Sequence, residues 1–289
     1  MIYHTEELVS KIRAEFPELV FASAQLVRNV SDDHTVLILD DEWVFRFPRS
    51  WAFKQSFKQE VAMLKELKQH KHVPVPEYVY LSAAQDFGGY RMIKGVELEP
   101  EVYSTLTGAE RLTLAADLAQ LNSALHALPT SLSTPIADDE VWSWTTWYGG
   151  KRPFLAEHCP GSLLRDLDIF MGEYDQVQPP QKRLVNGDFV GEHIFYDLEK
   201  RMVAGVIDFG DLSVGDPAGD FTYFWSYDDD FPKKMFQSYA FKNEDPNLLE
   251  RAHTHFVRYE LARMVEALEE GALDAFEHHR GIASAHLGR

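Results

Sequence analysis

The chain carries its most informative residues in two short runs, Val185-Asn186-Gly187-Asp188-Phe189 leading to His193-Ile194-Phe195, and Val206-Ile207-Asp208-Phe209-Gly210. Each sets a carboxylate within or directly after a short apolar run. Asp188 is followed five positions on by His193 and 20 positions on by Asp208. Moving a phosphoryl group from a nucleotide needs these parts: one carboxylate to orient and deprotonate an attacking hydroxyl, and others to hold magnesium against the phosphates. Asp residues also close hairpin turns. That bland reading explains neither the spacing nor the run that follows, Asp211-Leu212-Ser213-Val214-Gly215-Asp216-Pro217-Ala218-Gly219-Asp220-Phe221.

An Asp, a ligand at +5 and an Asp-Phe-Gly at +20 follow the catalytic-loop and metal-loop pattern of kinases. Together, Asn186-Gly187-Asp188, His193-Ile194, Ile207-Asp208-Phe209-Gly210-Asp211, Gly215-Asp216-Pro217 and Asp220-Phe221 resemble the aminoglycoside phosphotransferase family. The likeness is greatest to its 2″-phosphotransferase branch, where a His stands five residues after the catalytic Asp. It is dense over 184–221 and thinner through Arg28-Asn29-Val30, Trp43-Val44-Phe45-Arg46-Phe47-Pro48 and Lys94-Gly95-Val96. The resemblance implies a bilobal, protein-kinase-like α+β fold that moves the γ-phosphate of ATP or GTP onto an antibiotic hydroxyl.

At 289 residues, with 45% hydrophobic and 26% charged content, the chain is long enough for one large domain or two lobes. No stretch approaches 18 uninterrupted apolar residues, and Met1-Ile2-Tyr3-His4 lacks the basic start of a signal peptide. The lone Cys159 cannot form an internal disulfide and fits a reducing cytosol, so a cytoplasmic monomer is expected. A formal charge of −18 opposes nucleic-acid binding and favours cationic partners.

Residues 1–93 read as a nucleotide-binding lobe built on a five-stranded antiparallel sheet, and 94–289 as a helical catalytic and substrate-binding lobe. Strands are expected over 21–30, 35–39, 43–47, 78–81 and 89–93, with a helix over 53–70 and a hinge near 92–97. Asp40-Asp41 supplies a tight turn. Asp86-Phe87-Gly88-Gly89 is a decoy, because no catalytic-loop sequence precedes it and its glycines suit a hairpin turn. An apolar stripe over 112–128 marks a buried helix, with His126 as a packing residue. Trp142, Trp144, Trp147 and Tyr148 read as packing residues.

Asp188 is the expected base, with His193 and Asp208 as magnesium ligands. Imidazole is unusual for magnesium, so contact of His193 with a phosphate stays open. Alternation puts Val44 and Arg46 on one face of their strand. Arg46 stands at the place of the family's phosphate-binding Lys, with Glu60 as carboxylate partner; Arg49 or Lys54 can share the task. Ser31 begins the turn Ser31-Asp32-Asp33-His34, which lacks the Gly of a phosphate-cradling loop. Backbone of Met92, Ile93 and Lys94 should read the base, with Met92 as gatekeeper.

A polyammonium substrate calls for carboxylates. The candidates are Asp216 and Asp220, which also suit bracing of the catalytic loop, then Asp228, Asp229 and Asp230, then Glu266, Glu269 and Glu270. The expected activity is magnesium-dependent phosphorylation of an aminoglycoside hydroxyl. The alternatives are a related kinase for a macrolide, homoserine or choline, or a non-catalytic nucleotide-binding module.

Overall fold

The computed structural model describes residues 4–27, 33–69, 73–133, 144–174 and 178–287. Arg28, Asn29, Val30, Ser31 and Asp32, together with His70 and Trp142, lie outside them.

Helix α1 (Thr5–Glu15) precedes strands β1 (Ala24–Val27), β2 (His34–Leu39) and β3 (Trp43–Pro48). Helix α2 (Trp51–Leu67) then leads to β4 (Tyr78–Leu81) and β5 (Gly88–Arg91). The five strands form one antiparallel sheet in the order β1-β2-β3-β5-β4. Strand alternation sends Leu37, Leu39, Phe45 and Phe47 to the face covered by Leu8 and Ile12 of α1. The other face of β3 presents Val44 and Arg46. The β2–β3 connection is Asp40-Asp41-Glu42, with Asp40 and Asp41 both left-handed (φ 50° and 52°) and the Glu42 amide donating to the Leu39 carbonyl at 2.9 Å. Helix α2 begins two residues before the expected position because Ser50 Oγ caps the amide of Phe53 at 3.2 Å. Its buried face carries Phe57, Glu60, Val61, Leu64 and Leu67.

Two expectations for this region are corrected. The Gly-Gly pair does not make the β4–β5 turn; that turn is made by Ser82 to Phe87, and both glycines lie in β5. A Cβ on Gly89 would stand 2.5 Å from the Phe45 ring, so glycine there serves packing. The connection to the rest of the chain is also shorter than 92–97. Strand β6 (Val96–Glu97) pairs with a strand of the second lobe, which pins the chain from Val96 onward.

Beyond β6 come α3 (Pro100–Ser104), α4 (Gly108–His126), α5 (Trp144–Ala156) and α6 (Gly161–Tyr174). Next are β7 (Arg183–Val185), β8 (Ile194–Asp197), β9 (Met202–Val206) and β10 (Ser213–Gly215). The chain continues through α7 (Gly219–Thr222), α8 (Phe231–Ser238), α9 (Leu248–Glu269) and α10 (Leu273–His286). Helix α4 starts on a reciprocal cap between Thr107 and Glu110 and runs through the centre of the core, burying Leu114, Leu118, Leu121 and Leu125. Trp144, Trp147 and Tyr148 of α5 pack in a separate cluster with α6, α9 and α10, and Cys159 is buried there as a free thiol. No helix among the described residues is long and apolar enough to cross a membrane. The result is an α+β fold of two lobes, one organised by the five-stranded sheet and the other mainly helical.

Candidate active site

Antiparallel pairing of β7 with β10 delivers the chain into Asn186-Gly187-Asp188. Gly187 adopts φ +85°, and a Cβ there would stand 2.6 Å from the Asp211 carbonyl, so only glycine fits this bend. Asn186 is buried and ties the two acidic motifs together. Its Oδ1 accepts from the Asp188 amide at 2.9 Å, and its Nδ2 donates to the Asp208 carbonyl at 3.2 Å.

The Asp188 carboxylate stays 45% exposed. Burial of its surroundings raises its pKa above the ordinary aspartate value, His193 pulls it down, and Asp208 adds to the rise. His193 closes a single 3-10 turn and bridges the two acids. Its Nδ1 lies 3.0 Å from the Asp188 carbonyl oxygen, and its Nε2 lies 3.9 Å from Asp208 Oδ2. Asp208 has a left-handed backbone, φ +58°, strained for a residue other than glycine. Burial would raise its pKa, but Arg46 and then His193 more than offset this and hold it low.

Arg46 reaches across from β3. Its Nη1 donates to Glu60 Oε1 at 2.7 Å, where Tyr78 Oη also donates at 3.2 Å. Its Nη2 donates to Asp208 Oδ1 at 3.1 Å and faces His34 Nδ1 at 3.4 Å. The paired Arg46 and Glu60 are thus joined directly to Asp208. His34 is buried, and burial followed by Arg46 lowers its pKa to about 3, so the ring is neutral. Lys54 instead pairs with Asp86, and the Arg49 Nε donates to Thr35. The Met92 amide is committed to the Glu42 carbonyl at 2.7 Å and is not free for a base. The Met92 carbonyl and the backbone of Ile93 and Lys94 remain at the lobe connection. Ser31 falls outside the described residues.

The acids expected to bind substrate divide sharply. Asp220 is fully buried and accepts from the Asn186 amide at 2.8 Å and the Gly187 amide at 3.1 Å, with His126 Nε2 at 3.0 Å. It braces the loop that carries Asp188 and is closed off from the cleft. Asp216 is held by Arg251 at 2.8 and 3.0 Å and by His255 at 3.3 Å. Against burial, which would raise it, the hydrogen bonds from His255 and Arg251 hold its carboxyl far below the usual range. It too is an internal group, not a ligand for substrate.

Asp228 accepts from the Phe231 amide at 2.7 Å and the Asp230 amide at 2.9 Å, and from Tyr103 Oη, which makes it the brace at the start of α8. Asp230 pairs with Lys233, Asp229 is exposed, and neither lines the cavity beside Asp188. Glu266, Glu269 and Glu270 lie on the exposed face of α9, where Glu269 pairs with Lys151. They do not line that cavity either.

The cavity beside Asp188 is walled by Phe189, Tyr223, Phe256, Tyr259, Glu260 and Arg263. An outer recess shares the last two and adds Glu99, Glu101 and Glu192. Glu260 was the legible sign that the sequence reading passed over. It is a carboxylate inside the apolar stripe Val257, Leu261, Met264 and Val265 of α9, where a charge has to be explained.

Comparison with known proteins bears on the family and the fold. The family model for the phosphotransferase enzyme family (APH) matches residues 23–277. The fold is similar to that of APH(2″)-IIIa solved with GDP and kanamycin, at 20% identity and TM-score 0.73, covering 96% of this chain and 97% of that one. It is also similar to the streptomycin–ATP–APH(2″)-IIa ternary complex, at 20% identity and TM-score 0.64, covering 96% and 97%. Macrolide 2′-phosphotransferase MphH from Brachybacterium faecium is similar at 21% identity and TM-score 0.63, covering 97% and 98%. With the family model spanning most of its length and both acidic motifs in one site, the chain belongs to the phosphotransferase enzyme family.

Proposed function

We propose that the protein transfers the γ-phosphate of ATP or GTP to a hydroxyl of an aminoglycoside, with Mg²⁺ bound between its acidic motifs. The observation that carries this reading is the His193 bridge between an exposed Asp188 and a strained Asp208 that Arg46 also contacts. In this reading residues 1–93 are the nucleotide lobe and 94–289 the hinge and acceptor lobe.

The donor set fits Mg²⁺. The His193 Nδ1 faces a carbonyl oxygen and therefore carries the proton, which turns the Nε2 lone pair toward the Asp208 carboxylate. Two electron-rich groups facing each other at 3.9 Å suit a cation between them. No group of three metal-binding side chains is found among the described residues. Asp208 and His193 would hold Mg²⁺, and its chemistry there is to neutralise charge on the transferring phosphate.

This chain's own residues do the rest. Arg46, fixed by Glu60, presents its guanidinium to the phosphates. Asp188 orients the acceptor hydroxyl and takes its proton as the oxygen attacks phosphorus and the bond to the bridging oxygen of the nucleoside diphosphate breaks. Its raised pKa keeps the carboxylate a better proton acceptor than an ordinary surface Asp.

A macrolide is the second reading, favoured by the aromatic wall of Tyr223, Phe256 and Tyr259 beside Asp188 and by the fold likeness to a macrolide 2′-phosphotransferase. Nucleotide consumption measured against a panel of aminoglycosides and macrolides tests both. Turnover with no member of either class, with nucleotide still bound, would return the protein to the metabolite-kinase or binding-module readings.

A further inference from the structure

We infer that His34 is a positioning residue for the phosphate grip: its Nδ1 fixes the guanidinium plane of Arg46 while leaving the charge of that group to the nucleotide. The inference rests on the nucleotide-binding part of the phosphotransfer reading, and it names what lets a planar Arg serve at this place in β3.

His34 opens β2, and because Val36 lies directly opposite Arg46, strand alternation puts His34 on the same face of the sheet as Arg46. The residue is 4% exposed and packs beside Phe53 and Phe57, with ring centroids 6.4 and 6.3 Å away. A polar ring buried against aromatic ones has to be explained. A guanidinium can only donate, so His34 Nδ1, 3.4 Å from Arg46 Nη2, is the acceptor and the ring proton sits on Nε2. That Nε2–H is buried and has no partner. An apolar side chain would avoid this cost, which leaves the contact made by Nδ1 as the reason for an imidazole here.

Arg46 is held by Glu60 at Nη1 and by Asp208 and His34 at Nη2. Asp208 is also the carboxylate assigned to the metal, so Arg46 shares it in the loaded site. Glu60 by itself fixes one nitrogen and leaves the plane free to turn about that contact. His34 supplies the second fixed point. A compact ammonium needs no such orientation, but a planar fork grips phosphate only when its plane is set. A third carboxylate in the place of His34 would hold Arg46 more strongly and would repel phosphate. A neutral imidazole orients the fork and adds no negative charge; burial and then Arg46 lower the His34 pKa to about 3, which keeps it neutral. The sequence before β2, Ser31-Asp32-Asp33, has no Gly to bring backbone amides close to phosphates, so the grip falls to side chains.

The test is calorimetric binding of non-hydrolysable ATP and GTP analogues with Mg²⁺ and no acceptor. At position 34, Asn keeps an acceptor on the δ atom, Gln moves it one atom further out, and Leu removes it. His34→Leu and His34→Gln should weaken analogue binding about 10-fold, the lower end for a lost hydrogen bond to a charged group, and His34→Asn by no more than about twofold. Combined with Arg46→Lys, the effect of His34→Leu should disappear, since an ammonium has no plane to fix. Thermal melting shows which variants keep the fold. Should His34→Leu fail to fold, the contrast between Asn and Gln decides alone, because both are polar and a purely structural role would weaken them alike. The inference is overturned if His34→Asn and His34→Gln bind the analogues equally, if the loss in His34→Leu persists in Arg46→Lys, or if wild type binds neither analogue. If wild type binds them and the contrast between Asn and Gln holds, but no acceptor is phosphorylated, the positioning role stands and the phosphotransfer reading falls.

Discussion

Two pairs of aspartates lie within 33 residues of each other and are treated in opposite ways by the fold. Asp188 and Asp208 sit at the cleft with side chains 45% and 37% exposed, their oxygens only partly provided with donors. Asp216 and Asp220 lie just beyond and are closed off, one by Arg251 and His255, the other by two backbone amides and His126. The contrast teaches that the same residue type does chemistry where its demand for donors is left unmet and does architecture where it is fully met.

The largest expected effect separates the pairs outright. Asp208→Ala should abolish turnover at any magnesium concentration while the protein still melts cooperatively, because Asp208 is the carboxylate that faces His193 and Arg46. Residual magnesium-supported turnover would mean the ligand has been misassigned. Asp188→Asn should lower kcat by ~10²-fold or more with nucleotide affinity retained. His193→Asn should be milder than Asp208→Ala, since the amide supplies an oxygen ligand.

On the braced side the effect should appear in stability before chemistry. Asp220→Ala strands the buried amide of Asn186, worth about 1–3 kcal/mol when unpaired, and removes the partner of the Gly187 amide and of His126. Urea unfolding should show a loss of several kcal/mol. A variant with wild-type stability and no activity would place Asp220 among the reacting groups instead.

One member of each pair, Asp188 and Asp216, should also titrate with opposite sign. Asp188 has a folded pKa above the ordinary 3.8, so the folded protein binds more protons through that window and loses stability as pH rises through it. Asp188→Asn should therefore be at least as stable as wild type at pH 7. Asp216 has a depressed pKa, so it contributes stability above the ordinary 3.8, and this is lost as pH falls toward its folded value. Asp216→Asn should cost stability at pH 7 and progressively less in acid. Parallel pH dependence in the two variants would break the comparison.

The smallest effect belongs to the exposed acids. Asp229→Asn and Asp230→Asn should leave kanamycin KM unchanged and shift stability by no more than about 0.5 kcal/mol. A steep rise in KM would return that segment to the acceptor site.

Local chemistry made much of this readable from the chain alone. The spacing of Asp188, His193 and Asp208 is a local motif, and the alternation that sets Arg46 apart from Phe45 and Phe47 and the helical placing of Glu60 follow from periodicities of two and 3.6 residues. They therefore survived into the structure as one connected site. The decoy Asp86-Phe87-Gly88 was legible as a decoy because no catalytic-loop sequence precedes it. Tertiary structure alone decided which acids face the cleft. Asp216, Asp220 and Asp228 look like available charges in the sequence, but their partners lie in other elements: Arg251 on α9, His126 on α4, and Tyr103 on α3. No local pattern reports a donor supplied from so far along the chain. Glu260 shows the converse. It lies six residues before Glu266 on the same helix; its place in the apolar stripe was readable, but its partner His279 on α10 was not, and Glu266 stays in water. Sequence fixes what a side chain can do within a turn or two, and burial and long-range partners decide whether it is free to do it.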